Sequence, residues 1–252
     1  MAAGTDDESM AVTVLCKSTQ QDSGASKNEA AIGVGMVIDH ACTTEWLEQV
    51  DAKRLSLPLD IKRPTVARRF FYDTEMKIVE QVQEILQRAL QKAGIADDAW
   101  VYCNKYLRIL EYVQVGKSLA PHTDGHKICE DSGTKSTHTL LLFLTDLDEG
   151  GETVLMNGRA EGWAKQLEVV VPPECQMNTI LEKNLVETIE LEGDDDFPPS
   201  HPVSVGVSPR PGRILVFPHE WPHAGAVTQS LPKIMLRAEV TLHYYSKKTA
   251  AV

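Results

Sequence analysis

The feature that most constrains this chain is the spacing of three residues with metal-binding side chains. His122 and Asp124 are separated by one residue, and His223 follows about one hundred residues later. Residues i and i+2 of a strand point to the same side, so a strand or strand end aims His122 and Asp124 at one point. A histidine so distant in sequence reaches that point from a neighbouring strand. The spacing therefore predicts a β-sheet in which the two segments are adjacent.

These residue types predict a metal site. Two neutral imidazoles and one carboxylate hold Fe(II) on one face and leave three coordination positions open, which is the ligand set of non-haem iron oxygenases. The pair His122 and Asp124 alone occurs by chance in many proteins, so the surrounding sequence carries the assignment. His219 is an alternative to His223, but the sequence His-Ala-Gly favours His223 because alanine and glycine let the backbone turn close to a metal.

The second half of the chain is predicted to consist of short strands. No helices separate them, which disfavours a doubly wound α/β fold. Helices followed by many strands predict a mainly β protein with flanking helices, in the form of a β-sandwich or jelly roll. The predicted strands are Tyr106 to Val113, Thr139 to Leu144, Thr153 to Leu155, Leu167 to Val171, Thr188 to Leu191, Val203 to Val207, Ile214 to Phe217 and Ile234 to Tyr244.

Upstream of these strands the pattern is helical. Apolar residues recur at helical spacing after Asp73 or Thr74, and Lys92 followed by Gly94 marks the end of that helix. A shorter helix is predicted from Thr43 or Thr44 through Val50. Ile32 to Ile38 is predicted to be a strand, and Arg54 to Arg69 a loop.

The length of 252 residues predicts one folded domain. Residues 1–30 are rich in small, polar and charged side chains and are predicted to be a disordered tail, although Met10 to Cys16 is a candidate strand. The domain then spans 31–252, with helical support over 40–100 and a β core over 101–245.

Composition restricts the partners. A formal net charge of −11 disfavours nucleic acid, because proteins that bind it usually present a basic face. No apolar run is long enough to cross a bilayer, and the N-terminus has no secretory pattern. The cysteines are odd in number and lack CxxC spacing, which predicts reduced thiols in a cytoplasmic or nuclear protein. They are Cys16, Cys42, Cys103, Cys129 and Cys175.

Four ordered segments carry a resemblance to a known family. They read YVQVGKSLAPHTDG, TLLLFLTDLDEGGETVL, SPRPGRILVFPHEWPHAGAV and PKIMLRAEVTLHYY. In this order and spacing they resemble the Fe(II)- and 2-oxoglutarate-dependent dioxygenases of the prolyl 4-hydroxylase type, over about Lys105 to Tyr245. The resemblance implies a double-stranded β-helix, which is a jelly roll of the cupin-like kind.

The resemblance also implies a ligand set and a co-substrate. His122, Asp124 and His223 would bind Fe(II), and 2-oxoglutarate would bind beside the iron, with ascorbate as an optional further cofactor. Lys233 lies where this family keeps a basic residue for the distal carboxylate of 2-oxoglutarate. Arg237 lies on the same face of that predicted strand and is the alternative, since its guanidinium binds carboxylates in a bidentate way.

Tyr112 lies ten residues before His122, where related prolyl hydroxylases have a tyrosine near the co-substrate. Two features depart from the family. Leu119 replaces a tyrosine found three residues before the first iron ligand in many prolyl 4-hydroxylases. Met156 to Ser208 is longer than expected and contains the acidic run Glu190 to Asp196, so it is either a substrate-covering insertion or a solvated loop.

The implied function is an oxidoreductase that uses 2-oxoglutarate and O2 to hydroxylate a C–H bond. A prolyl residue in a protein or peptide is the leading prime substrate by resemblance alone, and a free amino acid or other small molecule is the alternative. A nucleic-acid demethylase is disfavoured by the net charge. A non-catalytic jelly-roll binding module is disfavoured by the metal-binding pattern together with Lys233 and Arg237.

Overall fold

The computed structural model describes residues 9–20, 29–60, 66–95, 99–129, 133–147, 149–156 and 204–245. Within these residues the chain forms two helices, α1 (Thr44–Ser56) and α2 (Lys77–Lys92), and twelve strands. The strands are β1 (Ala11–Gln20), β2 (Glu29–Asp39), β3 (Val66–Tyr72), β4 (Ala99–Cys103), β5 (Tyr106–Tyr112), β6 (Leu119–His122), β7 (His138–Phe143), β8 (Thr153–Met156), β9 (Ser204–Val207), β10 (Ile214–Pro218), β11 (His223–Gly225) and β12 (Lys233–Tyr245).

The strands form two antiparallel sheets. The larger sheet has the order β1-β2-β10-β7-β12-β5-β3, with β4 also paired to β12, and the smaller sheet has the order β6-β11-β8-β9. From β5 onward the pairs are nested, since β8 pairs with β9, β7 with β10, β6 with β11 and β5 with β12. A long antiparallel hairpin wound between two sheets gives this pattern. It is the double-stranded β-helix, so the predicted fold class is confirmed.

The two faces of the larger sheet have different partners. Both helices and one face of the sheet contribute to a single buried apolar cluster. In α2 the buried residues recur every three or four positions, as expected for a helix with one face against a sheet. They are Ile78, Val79, Val82, Ile85, Leu86, Ala89 and Leu90. No helix among the described residues is long and apolar enough to cross a membrane.

The opposite face of the larger sheet packs toward the smaller sheet through a second apolar cluster, which includes Tyr112, Phe143, Leu155 and Phe217. Strand β12 shows how the sequence separates the two faces. Ile234, Leu236 and Ala238 belong to the helix-side cluster, whereas Met235 belongs to the cluster between the sheets. Because side chains alternate along a strand, Lys233 and Arg237 also lie between the sheets.

Within the predicted disordered tail of residues 1–30, the structure describes 9–20 and 29–30, and these residues are ordered. Strand β1 lies within this range and pairs with β2 from Ala11 to Gln20. Met10 and Leu15 are buried, so this segment offsets its ordering entropy by burying apolar side chains and by pairing its backbone. Residues 1–8 and 21–28 lie outside the described residues.

The loop predicted over Arg54 to Arg69 is also wrong in part. Helix α1 continues to Ser56, and β3 begins at Val66 as the edge strand beside β5. The basic residues of β3 concealed this strand in the sequence, but Arg69 forms an ion pair with Glu111 on β5. The strands predicted at Leu167 to Val171 and Thr188 to Leu191 lie outside the described residues.

Helix α2 begins at Lys77, a few residues after the predicted start. The carboxylate of Asp73 accepts hydrogen bonds from the backbone N–H groups of Ile78 and Val79, at 2.8 and 2.9 Å. Asp73 therefore satisfies two of the N–H groups that a helix N-terminus leaves without a partner.

A buried ion pair joins β2 to the start of β10. Arg213 is 2% exposed, and its Nε and Nη2 atoms lie 2.8 and 3.1 Å from the two carboxylate oxygens of Asp39. Its Nη1 atom donates to the carbonyl of Ser208 at 3.0 Å. Strands β2 and β10 are directly paired, so this bidentate contact fixes the end of their pairing.

We predict that Asp39→Ala lowers the free energy of unfolding by about 3 kcal/mol, because removal of one partner leaves a buried charge without compensation. Urea unfolding of the variant and the wild type measures the difference. Glu75→Ala is the matched control, since it breaks an exposed pair with Lys77. It should leave the free energy of unfolding unchanged. Equal stability of the Asp39 variant and the wild type would contradict a structural role for the buried pair.

Candidate metal centre

The three residues predicted to bind a metal come together where β6 and β11 pair. His122 ends β6 and His223 begins β11, and the two residues are directly opposite in the antiparallel register. Asp124 follows β6, and its backbone N–H donates to the carbonyl of His219 at 2.9 Å. One potential ligand atom from each of the three residues lies within 4.8 Å of the other two. The predicted adjacency of the two segments is therefore what the structure shows.

The distances within this group, which we call the triad, are short. Nε2 of His122 lies 3.7 Å from Oδ1 of Asp124, and Nε2 of His223 lies 3.4 Å from Oδ2. The two imidazole rings have centroids 4.3 Å apart. All three side chains thus direct a nitrogen or oxygen atom into the same small space.

The backbone sets the tautomer of both histidines. Nδ1 of His122 lies 3.0 Å from the carbonyl of Ala120, and Nδ1 of His223 lies 3.0 Å from the carbonyl of Trp221. A carbonyl oxygen can only accept a hydrogen bond, so each Nδ1 carries the proton. In the neutral form of each ring, Nε2 then carries the lone pair and faces Asp124, which is the arrangement that metal-binding histidines adopt.

Burial and nearby charges favour this protonation pattern. Burial lowers the pKa of His223 to about 4, so its imidazole is neutral at pH 7. Burial would raise the pKa of Asp124, but Arg237, the neighbouring histidines and the hydroxyl of Thr139 together lower it below its ordinary value. When both imidazoles are neutral, their Nε2 lone pairs and the carboxylate anion repel one another across the shared space, and a divalent cation removes that repulsion. The donor set fits Fe(II).

Two side chains hold the carboxylate of Asp124. The hydroxyl of Thr139 donates to Oδ2 at 2.6 Å, and Nη2 of Arg237 lies 2.8 Å from Oδ1. Arg237 also lies 3.2 Å from Oε1 of Glu239, which in turn lies 2.6 Å from Nη2 of Arg108. Arg237 is thus already paired with two carboxylates.

His219 lies outside the triad. Its side chain is fully buried, with Nδ1 3.0 Å from the hydroxyl of Thr139 and Nε2 2.8 Å from that of Ser136. Burial lowers its pKa to about 3. His126 is exposed and packs edge-on against the ring of His219, with the ring centroids 5.3 Å apart.

Lys233 and Tyr112 form a second group between the sheets. They are directly opposite in the pairing of β12 with β5, and the ammonium of Lys233 lies 4.2 Å from the centre of the Tyr112 ring. Lys233 is 1% exposed, and burial lowers its pKa to about 7, opposed by the charge of Glu152. Among the described residues Lys233 has no salt-bridge partner, so its charge is available to a ligand.

Three glycines leave space around these groups. A Cβ on Gly225 would lie 3.2 Å from the hydroxyl of Tyr112, and a Cβ on Gly151 would lie 3.3 Å from the Lys233 side chain. A Cβ on Gly35 would lie 2.5 Å from the ring of Trp221. Since the carbonyl of Trp221 accepts from His223, the close approach at Gly35 supports the orientation of this imidazole.

The sequence did not identify the hydrogen-bonding residues behind Asp124. Thr139 begins the predicted strand Thr139 to Leu144, in which all the other residues are apolar, and Ser136 lies in a loop without a motif. Alternation along β12 was the available signal for Glu239, because it places this residue on the same face as Lys233 and Arg237.

Comparisons with known proteins find likeness at the level of structure. No protein-family model and no curated protein match the sequence. An oxidoreductase of the 2OG-Fe(II) oxygenase family from Burkholderia pseudomallei matches with a TM-score of 0.45 and 12% identity, covering 80% of each chain. A viral collagen prolyl hydroxylase from Paramecium Bursaria Chlorella virus-1 matches with a TM-score of 0.45 and 15% identity, covering 81% of this chain and 93% of the other.

HygX from Streptomyces hygroscopicus, crystallised with nickel and 2-oxoglutarate, matches with a TM-score of 0.48 and 12% identity, covering 85% of this chain and 84% of the other.

Proposed function

We propose that this chain is a dioxygenase that depends on Fe(II) and 2-oxoglutarate and hydroxylates a C–H bond. The observation that carries the proposal is the triad itself, in which His122, Asp124 and His223 place their ligand atoms within 4.8 Å of one another with both Nε2 lone pairs exposed to a metal. Such a set leaves three coordination positions open. Bound Fe(II) with 2-oxoglutarate would supply the oxidising chemistry that uses O2.

The rest of the site fits a dicarboxylate. A cation at the far end of 2-oxoglutarate has to be buried and free of a protein carboxylate, and Lys233 meets both conditions among the described residues. Tyr112, which lies against the ammonium of Lys233, would contribute its hydroxyl to the same carboxylate. Arg237 is already paired with Asp124 and Glu239, so we assign it the task of holding Asp124.

The remaining residues exclude water and fix geometry. Phe217 packs against the ring of His223, with centroids 4.6 Å apart, and Asp124 is held by Thr139 and Arg237. Such pre-organisation keeps the reacting groups close and oriented without reorganisation during the reaction. The chemistry belongs to the cofactor, and the protein contributes binding, orientation and electrostatics.

For the prime substrate, the motif resemblance supports a prolyl residue in a protein or peptide, and a free amino acid or other small molecule is the second candidate. The net charge of −11 disfavours a nucleic-acid substrate. Cys42, Cys103 and Cys129 are free thiols, which supports a location in the cytoplasm or nucleus. Ascorbate is an optional accessory reductant.

We predict that Fe(II) and 2-oxoglutarate, mixed anaerobically with the wild type, give a visible metal-to-ligand charge-transfer band. Asp124→Ala and His223→Ala should abolish the band, because each removes one of the three ligands. His40→Asn is the control, since His40 is exposed at the end of β2 with a φ of 58°, a conformation that asparagine tolerates. An unchanged band in either triad variant would remove that residue from the iron site.

A second prediction separates the two basic residues of β12. Lys233→Met keeps the volume of the side chain and removes the charge, so the 2-oxoglutarate concentration for half-saturation should rise by about 30-fold or more, as expected when a buried charge pair is broken. Arg237→Met should mainly weaken Fe(II) binding, because it releases Asp124. Titration of the charge-transfer band with each ligand measures both effects.

Lys77→Met is the control for these variants, since Lys77 is an exposed lysine on α2. It should change neither affinity. A larger loss of 2-oxoglutarate affinity in the Arg237 variant than in the Lys233 variant would make Arg237 the anchor.

A third prediction concerns pH. The pKa of Lys233 is about 7 without ligand, and a carboxylate beside the ammonium would raise it. Binding of 2-oxoglutarate should therefore take up a proton above pH 7, and its affinity should fall as pH rises from 7 to 9. Below pH 7 lysine is already protonated and contributes no uptake. Calorimetry in buffers of different ionisation enthalpy measures the proton number, which should drop to zero in Lys233→Met.

A further inference from the structure

A chain of hydrogen bonds runs from Asp124 into the protein interior, behind the triad. The hydroxyl of Thr139 has one proton, and its 2.6 Å contact with the anionic Oδ2 of Asp124 uses it. The 3.0 Å contact between Thr139 and Nδ1 of His219 can then be a hydrogen bond only if Nδ1 carries a proton and donates it. The direction of both bonds follows from the single proton on the hydroxyl.

The same reasoning continues past His219. With the proton on Nδ1, Nε2 of the neutral imidazole accepts from the hydroxyl of Ser136 at 2.8 Å. The oxygen of Ser136 accepts in turn from the backbone N–H of Lys127, also at 2.8 Å. Oε2 of Glu239 lies 3.4 Å from Nε2 of His219 and is the acceptor that would compete if Nε2 carried a proton.

The side chains in this series of hydrogen bonds are buried. Ser136, Thr139 and His219 are at most 1% exposed, so water does not replace their contacts. His219 is also tied to the ligand segment through its backbone, since its carbonyl accepts from Asp124 N–H at 2.9 Å and its N–H donates to the carbonyl of Thr137 at 3.0 Å. One residue therefore contacts the Asp124 segment through both its main chain and, by way of Thr139, its side chain.

We propose that His219 is a positioning residue, which through the hydroxyl of Thr139 fixes the rotation of the Asp124 carboxylate so that one lone pair points at the space shared with the two triad imidazoles. The proposal rests on the proposed function in that it takes Asp124 to be a metal ligand. Without the Thr139 contact only Arg237 would hold the carboxylate, and metal binding would carry the entropic cost of fixing its rotation. Residues that orient metal ligands in this way typically contribute about 10- to 100-fold in metal affinity.

The first test needs no metal. Imidazole ¹⁵N NMR of the metal-free protein at pH 7 reports which nitrogen of each histidine is protonated. His219 should be the neutral Nδ1–H form, and its signal is assigned by its loss in His219→Asn. A neutral Nε2–H form, or a doubly protonated ring paired with Glu239, would overturn the proposal, whatever the activity of the protein proves to be.

The second test compares side chains of matched size. Asparagine places an amide N–H near the position of Nδ1, whereas glutamine places it near that of Nε2. His219→Asn should therefore keep Fe(II) affinity within about threefold of the wild type, and His219→Gln should lose about tenfold or more. A role in packing alone predicts the reverse order, because asparagine leaves the larger cavity. Equal affinities would also contradict the proposal.

Variants of Thr139 provide a third, independent test. Thr139→Val removes only the hydroxyl and should weaken Fe(II) and Co(II) binding by about 10- to 100-fold, whereas Thr139→Ser restores most of the affinity. Thermal melting of the metal-free variants shows whether each is folded. A wild type that binds no metal would refute the proposed function. The NMR measurement on the metal-free protein would still test the direction of the hydrogen bonds between Asp124, Thr139 and His219. A folded Thr139→Val with wild-type affinity would refute the positioning role.

Discussion

The candidate metal centre depends on the register of one short pair of strands. His122 and His223 face each other only because β6 and β11 pair at that register, and a slip of one residue would turn one imidazole to the opposite face of the smaller sheet. The register shifts between this pair and the pair of Leu119 with Gly225, so β6 contains a bulge just before His122. Bulges near active sites re-aim a side chain, and here the carbonyl of Ala120 within the bulge accepts from His122 Nδ1.

Charged side chains between the sheets hold the carboxylate of Asp124 in place. Arg108 and Arg237 share an oxygen of Glu239, and Arg237 extends the series to Asp124. Buried charges are costly unless they are paired and hydrogen-bonded, so the alternation of guanidinium and carboxylate stabilises groups that would destabilise the fold singly. The arrangement also restricts Arg237. If Arg237 moved away to bind a ligand, the buried carboxylate of Asp124 would lose its ion-pair partner.

Individual strands could be predicted because they depend on local patterns, whereas the resemblance of four ordered segments to a known family implied the double-stranded β-helix and the full ligand set. Alternation in β12, the apolar run of β7 and the spacing of His122 and Asp124 all report directly on strands. Strand β3 was missed because its arginines resemble a loop, and their partner Glu111 lies on another strand. Strand β1 was missed in part because its stability comes from pairing with β2. The contacts of Thr139 and His219 join residues 80 positions apart, so no sequence window contains them.

The different environments of Lys233 and Arg237 support the proposed division of roles, in which Lys233 binds the co-substrate and Arg237 holds Asp124. In the proposed function, Fe(II) adds two positive charges between the sheets and 2-oxoglutarate adds two negative charges. Together they leave the net charge around the series of Arg108, Arg237, Glu239 and Asp124 unchanged. Lys233 lies outside that series, and burial lowers its pKa to about 7, so it can rest neutral in an empty site and become charged when a carboxylate arrives. An arginine at this position would stay charged at all accessible pH values and would carry the full desolvation cost in the absence of ligand. In the proposed function, Lys233 would therefore become fully charged only when a carboxylate of the co-substrate is bound. Arg237 is always charged, and it lies beside Asp124, a carboxylate that belongs to the protein.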